Sequence, residues 1–354
     1  MRIAIDAMGG DNAPDEIISG ALESIELLAE DDEVILVGPK DLIELQLPPL
    51  ESREGAISIV DAPEVIAMDE PPIESLRRKV KSSIAVLAKL AKRGQTDAVI
   101  SAGNTGACVA AFQIRMRNLP GVNRPGIAVV FPTPEGPVTI CDVGANIACK
   151  PINLYQYGVM AGIYSRDLLG IENPRVGLMS IGQEDAKGNE IVKKAREFLK
   201  ADATINFVGN IEGRDIFRGI CDVVVCDGFV GNVILKLTEG LVDGLFKAIK
   251  DELMTEKLRL VMKFKPVIAR IYNKYDYNEY GGAPLLGING TALICHGASH
   301  SRTIRNAILA SKKSHTERVN EKILEHLSET PFSDKSQEQN QQAISVRTSD
   351  EPSS

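Results

Sequence analysis

A repeated strand ending is the feature of this sequence that most constrains its fold. Short apolar segments such as Ala98–Ile100 and Val176–Ile181 run directly into clusters of Gly, Asn and Asp, and a helical pattern follows. Strands that alternate with helices favour parallel pairing, with crossover helices packed on both faces of the sheet. Ligands bind such sheets at the carboxyl ends of the strands. The sequence therefore predicts an α/β fold with a mostly parallel, doubly wound sheet, and a polar cleft along one sheet edge.

Composition and charge exclude several function classes. The chain has 354 residues, of which 44% are hydrophobic and 25% charged, as in an ordinary soluble globular protein. Its formal net charge of −8 argues against non-specific binding to nucleic acid. The six cysteines form no CxxC pair, which favours reduced thiols in a cytosolic protein. No apolar run reaches the ~20 residues of a membrane-spanning helix. We therefore expect a cytoplasmic protein with no metal and no cofactor.

The segment Gly103-Asn104-Thr105-Gly106 is the clearest candidate for an anion site. It joins a predicted strand to an apolar helix, and the N–H groups and dipole at a helix start attract phosphate. The same residues would also make an ordinary capped turn, and Asp6, Asp142 and Asp227 at other strand ends would each serve as a structural cap. Taken together, the strand ends supply donors that suit an oxyanion or a phosphate. These donors are Asn104, Thr105, Asn146, Lys187, Asn189 and Asn232.

A short basic segment is a second candidate for anion binding. Within residues 69–83, Arg77, Arg78, Lys79 and Lys81 cluster just before two serines. In an acidic protein this concentration of positive charge suits an anionic ligand. A solvated helix face with a serine cap is the alternative interpretation.

Residues 240–280 are predicted to form an amphipathic helical hairpin, which protrudes from a domain spanning residues 1–312. Within it, residues 257–274 contain six Lys or Arg side chains and no Asp or Glu, interleaved with apolar side chains. This pattern fits an anionic membrane surface, although a buried hairpin with snorkelling lysines would also produce it. Pro266 is expected to separate two helices or to kink one. The predicted membrane contacts are Leu260, Phe264, Val267 and Ile268.

The composition shifts to Ser, Gln and Glu after about Lys313. We therefore predict that residues 313–354 form a polar, disordered tail. Within this tail, the spacing of the apolar residues allows a weak helix around Val319–Leu327.

Seven motifs give the chain its resemblance to a known family. They are MRIAIDAMGGDNAP, LRRKVKSS, DAVISAGNTGA, DVGAN with CKP after it, IGQEDAKGNE, DVVVCDGFVGN and EYGGAPLLGINGTALICHG, in this order from Met1 to about Ala310. Together they resemble the phosphate acyltransferases of the PlsX family, which act in bacterial phospholipid synthesis. One departure is Ala148, which stands where the family usually has an Asp, so we assign no role to this position.

The resemblance implies the reversible conversion of acyl-[acyl carrier protein] and orthophosphate to acyl phosphate and free carrier protein, on the way to phosphatidic acid. It also implies a fold related to isocitrate dehydrogenases and phosphate acetyltransferases, a homodimer, and peripheral association with the inner face of the cell membrane. Acyl carrier protein and orthophosphate are then the substrates. The downstream glycerol-3-phosphate acyltransferase is a candidate partner.

The resemblance and the donor pattern together assign roles to individual residues. Lys187, Asn232 and Asn146 are the expected catalytic donors, which stabilise negative charge developing on the thioester carbonyl. Holding both reactants in place would supply roughly 7–11 kcal/mol of the barrier. No covalent intermediate is needed, and an acyl-enzyme on Cys108, at the start of a helix, is the alternative. The expected phosphate- and substrate-binding residues are Gly9, Gly10, Asp11, Arg78, Lys81, Ser83, Gly103, Asn104, Thr105, Gly106, Asp142, Lys150, Asn189, Asp227 and His296.

Two other interpretations stay open at the level of sequence. A metal- and NAD-dependent decarboxylating dehydrogenase on the same fold would require several carboxylates around a divalent ion, and only Asp227 suggests one. A non-catalytic membrane scaffold for lipid synthesis would have no need of an anion cleft.

Overall fold

A computed structural model describes residues 1–49, 55–254, 258–275, 277–330 and 332 of the chain. Its strands are Arg2–Asp6 (β1), Glu33–Gly38 (β2), Ile57–Asp61 (β3), Ala98–Ser101 (β4), Gly126–Thr133 (β5), Gly136–Cys141 (β6), Arg175–Met179 (β7), Asn206–Ile211 (β8), Val223–Val225 (β9), Ala283–Leu286 (β10) and Thr291–Ile294 (β11). Its helices are Asp15–Ile25 (α1), Lys40–Glu44 (α2), Pro72–Arg78 (α3), Ser83–Lys92 (α4), Thr105–Met116 (α5), Pro151–Leu169 (α6), Glu190–Ala201 (α7), Gly228–Met254 (α8), Leu258–Lys274 (α9), Ser301–Thr316 (α10) and Val319–Glu329 (α11), with short 3-10 helices at Gly213–Arg218 and Tyr277–Tyr280.

The described strands form one 11-stranded sheet in the order β3-β2-β1-β4-β11-β10-β5-β6-β9-β7-β8. Pairing is parallel from β3 to β11 and again from β6 to β8. The prediction of a mostly parallel α/β sheet is therefore confirmed. The turn rich in Pro and Gly joins β5 to β6 as the predicted antiparallel hairpin. β10 lies in a glycine-rich segment for which the sequence predicts no strand.

The carboxyl ends of the parallel strands do not share one sheet edge, so this prediction is wrong. Three consecutive antiparallel pairings separate β11 from β6, and the strands from β6 to β8 therefore run opposite to β1, β4 and β11. The register nevertheless brings the two sets of ends together. Ile294, the last residue of β11, lies opposite Ala283 of β10. Cys141, the last residue of β6, lies opposite Ala128 of β5. β10 pairs antiparallel with the start of β5. The end of β11 and the end of β6 therefore meet on either side of this β10–β5 pair.

Aliphatic side chains make up most of the core, as a chain without Trp requires. Among the described residues, Ile3, Ile5 and Ile100 are fully buried in the first set of parallel strands. α6 packs on β6 and β9 and carries two fully buried tyrosines, Tyr155 and Tyr157. All six cysteines are buried free thiols.

The folded chain continues past residue 312, where the sequence places a domain boundary. That position lies inside α10, and α11 packs against α6. Val319, Ile323 and Leu327 are buried there, and their spacing of four residues places them on one helix face. The weak helix predicted at Val319–Leu327 is therefore a packed helix. Residues 333–354, which make up most of the predicted tail, lie outside the described residues.

α8 and α9 are consecutive helices, and described residues of the two are in contact. Pro266 lies inside α9, so the prediction that it separates two helices is wrong. Pro266 is exposed, and water can bond the carbonyl that loses its helical partner there. Among the described helices, none combines the length and the apolar character needed to span a bilayer.

Candidate active site

A small cavity lies where the two sets of strand ends meet. It has a volume of about 130 Å³, and its polar lining residues include Thr105, Asn232, Lys236 and His296. Thr105 opens α5 after β4, and His296 follows β11. Asn232 and Lys236 lie one turn apart on α8, which follows β9 in the opposite strand set. Elements from both sets of strands therefore supply the polar side chains of one site.

Asn104 anchors the start of α5 beside this cavity. Its Oδ1 accepts a hydrogen bond from the backbone N–H of Ala107 at 3.0 Å, as an N-cap. Its Nδ2 donates to the carbonyl oxygens of Met68 and Glu70 at 3.1 and 3.0 Å. The residue is buried, so both ends of its amide have partners inside the protein. Asn104 thus positions the loop at the first turn of α5.

Asp6 supports the same loop from the end of β1. Its buried carboxylate accepts a hydrogen bond from the hydroxyl of Ser101 at 2.7 Å. Burial raises the pKa of Asp6, and hydrogen bonds from Ser83 and Ser101 oppose the rise. A Cβ on Gly9 would lie 2.6 Å from the nitrogen of Gly103, so glycine allows the loops after β1 and β4 to touch. The predicted residues Gly9, Ser83 and Gly103 therefore meet at Asp6.

Two further predicted segments are tied to neighbouring loops. The backbone N–H of Asp11 donates to the carbonyl of Gly297 at 2.7 Å, which connects the loop after β1 to the loop that carries His296. Gly10 adopts a positive φ at this point. A Cβ on Gly106 would lie 2.7 Å from Cγ of Pro72, so α5 begins in close contact with α3. At both glycines a neighbouring segment lies too close to the backbone to leave room for a side chain.

Asp142 has the corresponding position at the end of β6. Its fully buried carboxylate accepts hydrogen bonds from the backbone N–H groups of Ile127, Ala145 and Asn146 at 3.0, 3.0 and 2.7 Å. Burial raises the pKa of Asp142, and these donors oppose the rise. A Cβ on Gly231 would lie 1.9 Å from the carbonyl oxygen of Asp142. The first turns of α8 therefore rest directly on the loop that Asp142 holds.

Three other predicted polar side chains also have partners inside the protein. Nδ2 of Asn146 donates to the carbonyl of Pro125 at 2.6 Å and to the hydroxyl of Tyr157 at 2.9 Å. Asn189 and Asp227 each accept a hydrogen bond at 2.9 Å from a backbone N–H in the first turn of α7 and α8. These side chains hold the strand-end loops in place.

Lys236 and His296 face each other in the small cavity. Nζ of Lys236 lies 3.3 Å from Nε2 of His296 and 2.8 Å from a carboxylate oxygen of Glu239. The backbone N–H of Ala298 donates to Nδ1 of His296 at 3.2 Å. The neutral imidazole therefore carries its proton on Nε2, toward Lys236. Lys236 is not among the residues predicted from the sequence. Its spacing of four residues from Asn232, which places both on one helix face, is the signal that could have found it.

A larger cavity of about 380 Å³ adjoins the small one. Glu239 and His296 line both cavities and therefore mark the junction between them. Phe131 of β5, Phe217 of a 3-10 helix and Val242 of α8 are among the walls of the larger cavity. The polar donors of the small cavity and the aromatic walls of the larger one suit a ligand with an anionic head and an apolar chain.

Two of the four cations in the basic segment before α4 pair with one acidic residue. Arg78 and Lys79 both pair with the carboxylate of Glu70, Arg78 at 2.9 Å. The hydrogen bond from Lys79 is the main reason that the pKa of Glu70 falls to about 2. Lys81 is exposed, whereas Ser83 is buried beside Asp6.

The remaining predicted cations, Lys150 and Lys187, are exposed on loops of the second strand set. Lys187 follows β7, and a Cβ on Gly182 would lie 2.9 Å from its Cγ, so its stem packs on this backbone. A third cavity, of about 420 Å³, is lined by Asn189 and Asp227 nearby. Asn232 therefore belongs to the small cavity, whereas Lys187 lies next to residues of the third.

Cys108 is fully buried in α5. Burial raises the pKa of its thiol to about 12, so the thiolate needed for an acyl-enzyme does not form at neutral pH. The alternative mechanism through Cys108 is therefore disfavoured.

Comparisons with known proteins agree with the motif resemblance. Residues 1–322 match a family described as fatty acid synthesis protein. A phosphate acyltransferase of Heliobacterium modesticaldum is 47% identical over 332 residues, which cover 92% of this chain and 98% of that protein. A phosphate acyltransferase of Halothermothrix orenii is 48% identical and covers 89% of this chain and 95% of that protein.

Solved structures with low sequence identity share the fold. A phosphotransacetylase from Streptococcus pyogenes superposes with a TM-score of 0.58 at 16% identity, over 89% of this chain and 94% of that one. A branched-chain phosphotransacylase from Enterococcus faecalis V583 gives a TM-score of 0.54 at 13% identity, over 88% and 98% of the two chains. The expected likeness of the fold to phosphate acetyltransferases is confirmed.

Proposed function

Because this chain belongs to the phosphate acyltransferase family, we propose that it transfers a fatty acyl group from acyl carrier protein to orthophosphate, reversibly. The observation that carries the proposal is the junction, at Glu239 and His296, of a small cavity that gathers polar donors with a larger cavity that has aromatic walls. The donors suit the anionic head of an acyl phosphate, and the larger cavity offers room for its apolar chain. A downstream glycerol-3-phosphate acyltransferase is the partner that would consume this product.

The reaction requires phosphate to be held and the thioester carbonyl to be polarised. A phosphate oxygen attacks the carbonyl carbon, the carbonyl oxygen becomes an oxyanion, the C–S bond breaks, and the carrier thiolate leaves and takes up a proton. Phosphate in the small cavity would lie at the first turn of α5, beside the hydroxyl of Thr105. We assign two donors to the oxyanion: Asn232 from the small cavity, and Lys187, whose long, exposed side chain would reach across from the loop after β7. Asn146, whose Nδ2 already has internal acceptors, acts by positioning its loop.

The acyl chain would occupy the larger cavity. Phe131, Phe217 and Val242 line its walls, and its junction with the small cavity places the start of the chain beside His296. Burial of each methylene contributes about 0.8 kcal/mol, so a long chain adds substantially to substrate binding.

The test is formation of acyl phosphate by the purified protein from palmitoyl-[acyl carrier protein] and orthophosphate. Free carrier thiol should appear in step with acyl phosphate, and only when phosphate is present. Lys187→Ala should lower kcat about 100- to 1,000-fold, whereas Lys89→Ala, at an exposed lysine of α4, should not. Thiol release that ignores phosphate would contradict the proposed reaction. A near wild-type rate for Lys187→Ala would remove this residue from catalysis.

The hairpin of α8 and α9 would rest on the anionic inner face of the cell membrane, and the rest of the protein would lie in the cytoplasm. Of the predicted contacts, Phe264 and Val267 are 46% and 37% exposed, and Ile268 is half-buried. Leu260 lies in α9, but its side chain is outside the described residues. Met262, 68% exposed, adds to this apolar surface. Lysines and arginines between these residues supply the matching charge.

A second copy of the chain would cover an apolar ridge on α8. Its side chains recur every four residues and are 49–68% exposed. Ridges of this spacing pack into the grooves of a like helix at about −50°. A two-fold axis would bury the same ridge on both copies and produce the expected homodimer. The ridge consists of Phe229, Val233, Leu237, Leu241 and Leu245.

A further inference from the structure

Lys236 and His296 form a contact that the roles assigned above do not explain. Nδ1 of His296 accepts the N–H of Ala298, so its Nε2 is a donor. Nζ of Lys236, 3.3 Å from this Nε2, is also a donor. Two donors cannot satisfy each other, and both belong to the lining of the small cavity. An acceptor with two oxygens would satisfy both.

The charges around this pair favour an anion. Lys236 is half-exposed and carries three N–H donors, of which one reaches Glu239 at 2.8 Å. Thr105 opens α5 on the wall of the same cavity, where the helix dipole adds positive potential. Glu239, on the wall of the same cavity, neutralises part of this potential.

We infer that Lys236 and His296 clamp the phosphate at two points, Nε2–H of His296 on one oxygen and Nζ of Lys236 on another. This inference rests on the proposed function, since it names the groups that hold one substrate of that reaction. Lys236 is its new element. Glu239 holds Lys236 in place and competes with phosphate for the same ammonium group. Lys236 and Glu239, one turn apart on α8, therefore have opposite effects on phosphate affinity.

Kinetics with varied phosphate test the clamp. Lys236→Met should raise the KM for phosphate about 10- to 100-fold and leave the KM for acyl-[acyl carrier protein] unchanged, because a charged hydrogen bond to phosphate is lost. Lys236→Arg should restore most of the affinity. Glu239→Gln should lower the KM for phosphate, because the competing carboxylate is gone. Lys247→Met, an exposed lysine on the same helix, is the matched control and should change neither constant.

Direct binding separates this inference from the proposed function. Inorganic phosphate is titrated calorimetrically into the wild type, Lys236→Met and Lys236→Arg, all checked for unaltered thermal unfolding. Weaker binding in Lys236→Met with recovery in Lys236→Arg supports the clamp. Equal phosphate affinity in all three proteins overturns it, even if the wild type makes acyl phosphate. A wild type that binds phosphate through Lys236 but forms no acyl phosphate would instead contradict the proposed reaction.

Discussion

The side-chain amide of Asn104 links the start of α5 to Glu70, whose carbonyl accepts its Nδ2 at 3.0 Å. The same side chain caps the helix through its Oδ1. Glu70 in turn pairs with Arg78 and Lys79. One residue therefore connects the first turn of α5 to the basic segment that the sequence singles out.

Substitutions of Asn104 should separate these two contributions. Asn104→Ala removes the cap and both donors, and we expect it to lower the free energy of unfolding by about 2–3 kcal/mol. Asn104→Ser keeps a capping oxygen and loses the contacts to Met68 and Glu70, so about 1 kcal/mol is expected. Urea denaturation of both variants measures the difference. Equal losses in the two variants would mean that the cap contributes nothing.

Gly231 should be the least replaceable residue of α8. Its Cβ would lie 1.9 Å from the carbonyl oxygen of Asp142, so Gly231→Ala must push α8 away from this loop and move Asn232. We expect a loss of stability of at least about 2 kcal/mol and loss of acyl phosphate formation. Gly240→Ala on the same helix is the control, since nothing lies within 4 Å of its Cβ position. It should gain up to about 1 kcal/mol. A fully active Gly231→Ala would contradict the close packing.

Local features of the fold could be predicted from the sequence because they depend on neighbouring residues. The apolar strands, the β5–β6 hairpin and the turn at Asn104 each carry their own signal in composition and spacing. Thr105, Asn232 and His296 are predicted site residues that the structure brings to one cavity. Their strand ends meet although they belong to strands of opposite direction.

Other features depend on long-range pairing, which a single sequence does not reveal. The reversal of strand direction between β11 and β6 requires β10, whose four residues lie in a glycine-rich segment. The sequence does not reveal the hydrogen-bond partners of a donor such as Asn146, because its acceptors, the carbonyl of Pro125 and the hydroxyl of Tyr157, come from other elements of the chain. The sequence spacing places Lys236 on the same helix face as Asn232, but the contact of Lys236 with His296, 60 residues away, depends on how the chain folds.

Acidic substitutions on α9 should abolish membrane binding and spare the reaction. Met262→Glu combined with Phe264→Glu removes exposed apolar area and adds negative charge next to anionic lipid. Co-sedimentation with phosphatidylglycerol vesicles should be lost, while acyl phosphate formation in solution stays within about twofold. Leu27→Glu with Leu45→Glu changes two leucines that are 54% and 87% exposed elsewhere, and serves as the control. Unchanged sedimentation of the α9 variant would refute the membrane contact.

The ridge on α8 should decide the oligomeric state. Leu237→Glu with Leu241→Glu places two charges at the centre of the proposed interface, where unpaired buried charge is costly. We expect the dimer to dissociate to monomers in sedimentation velocity experiments at micromolar concentration. Leu45→Glu, at a leucine 87% exposed, should leave the dimer intact. A dimer that survives both ridge substitutions would place the interface on another surface.

Asp32 should make stability depend on pH. Its buried carboxylate contacts the amine of Met1 at 2.8 Å and Nζ of Lys312 at 2.5 Å. Burial raises the pKa of Asp32, but the hydrogen bonds from Lys312 and the amine outweigh this and lower it from 3.8 to about 2. Because the pKa in the folded state lies below that in the unfolded state, the ionised carboxylate stabilises the fold above about pH 4. This contribution is lost as the pH falls toward 2, and it amounts to about 2 kcal/mol.

Asp32→Asn should therefore lower the free energy of unfolding by about 2 kcal/mol at pH 7, and the difference from wild type should shrink between pH 4 and pH 2. Urea denaturation at each pH gives both values. Asp31→Asn, at the exposed neighbouring carboxylate, should show no such trend. A difference between Asp32→Asn and wild type that stays constant with pH would mean that the charge of Asp32 is not what stabilises the contact between the chain start and α10.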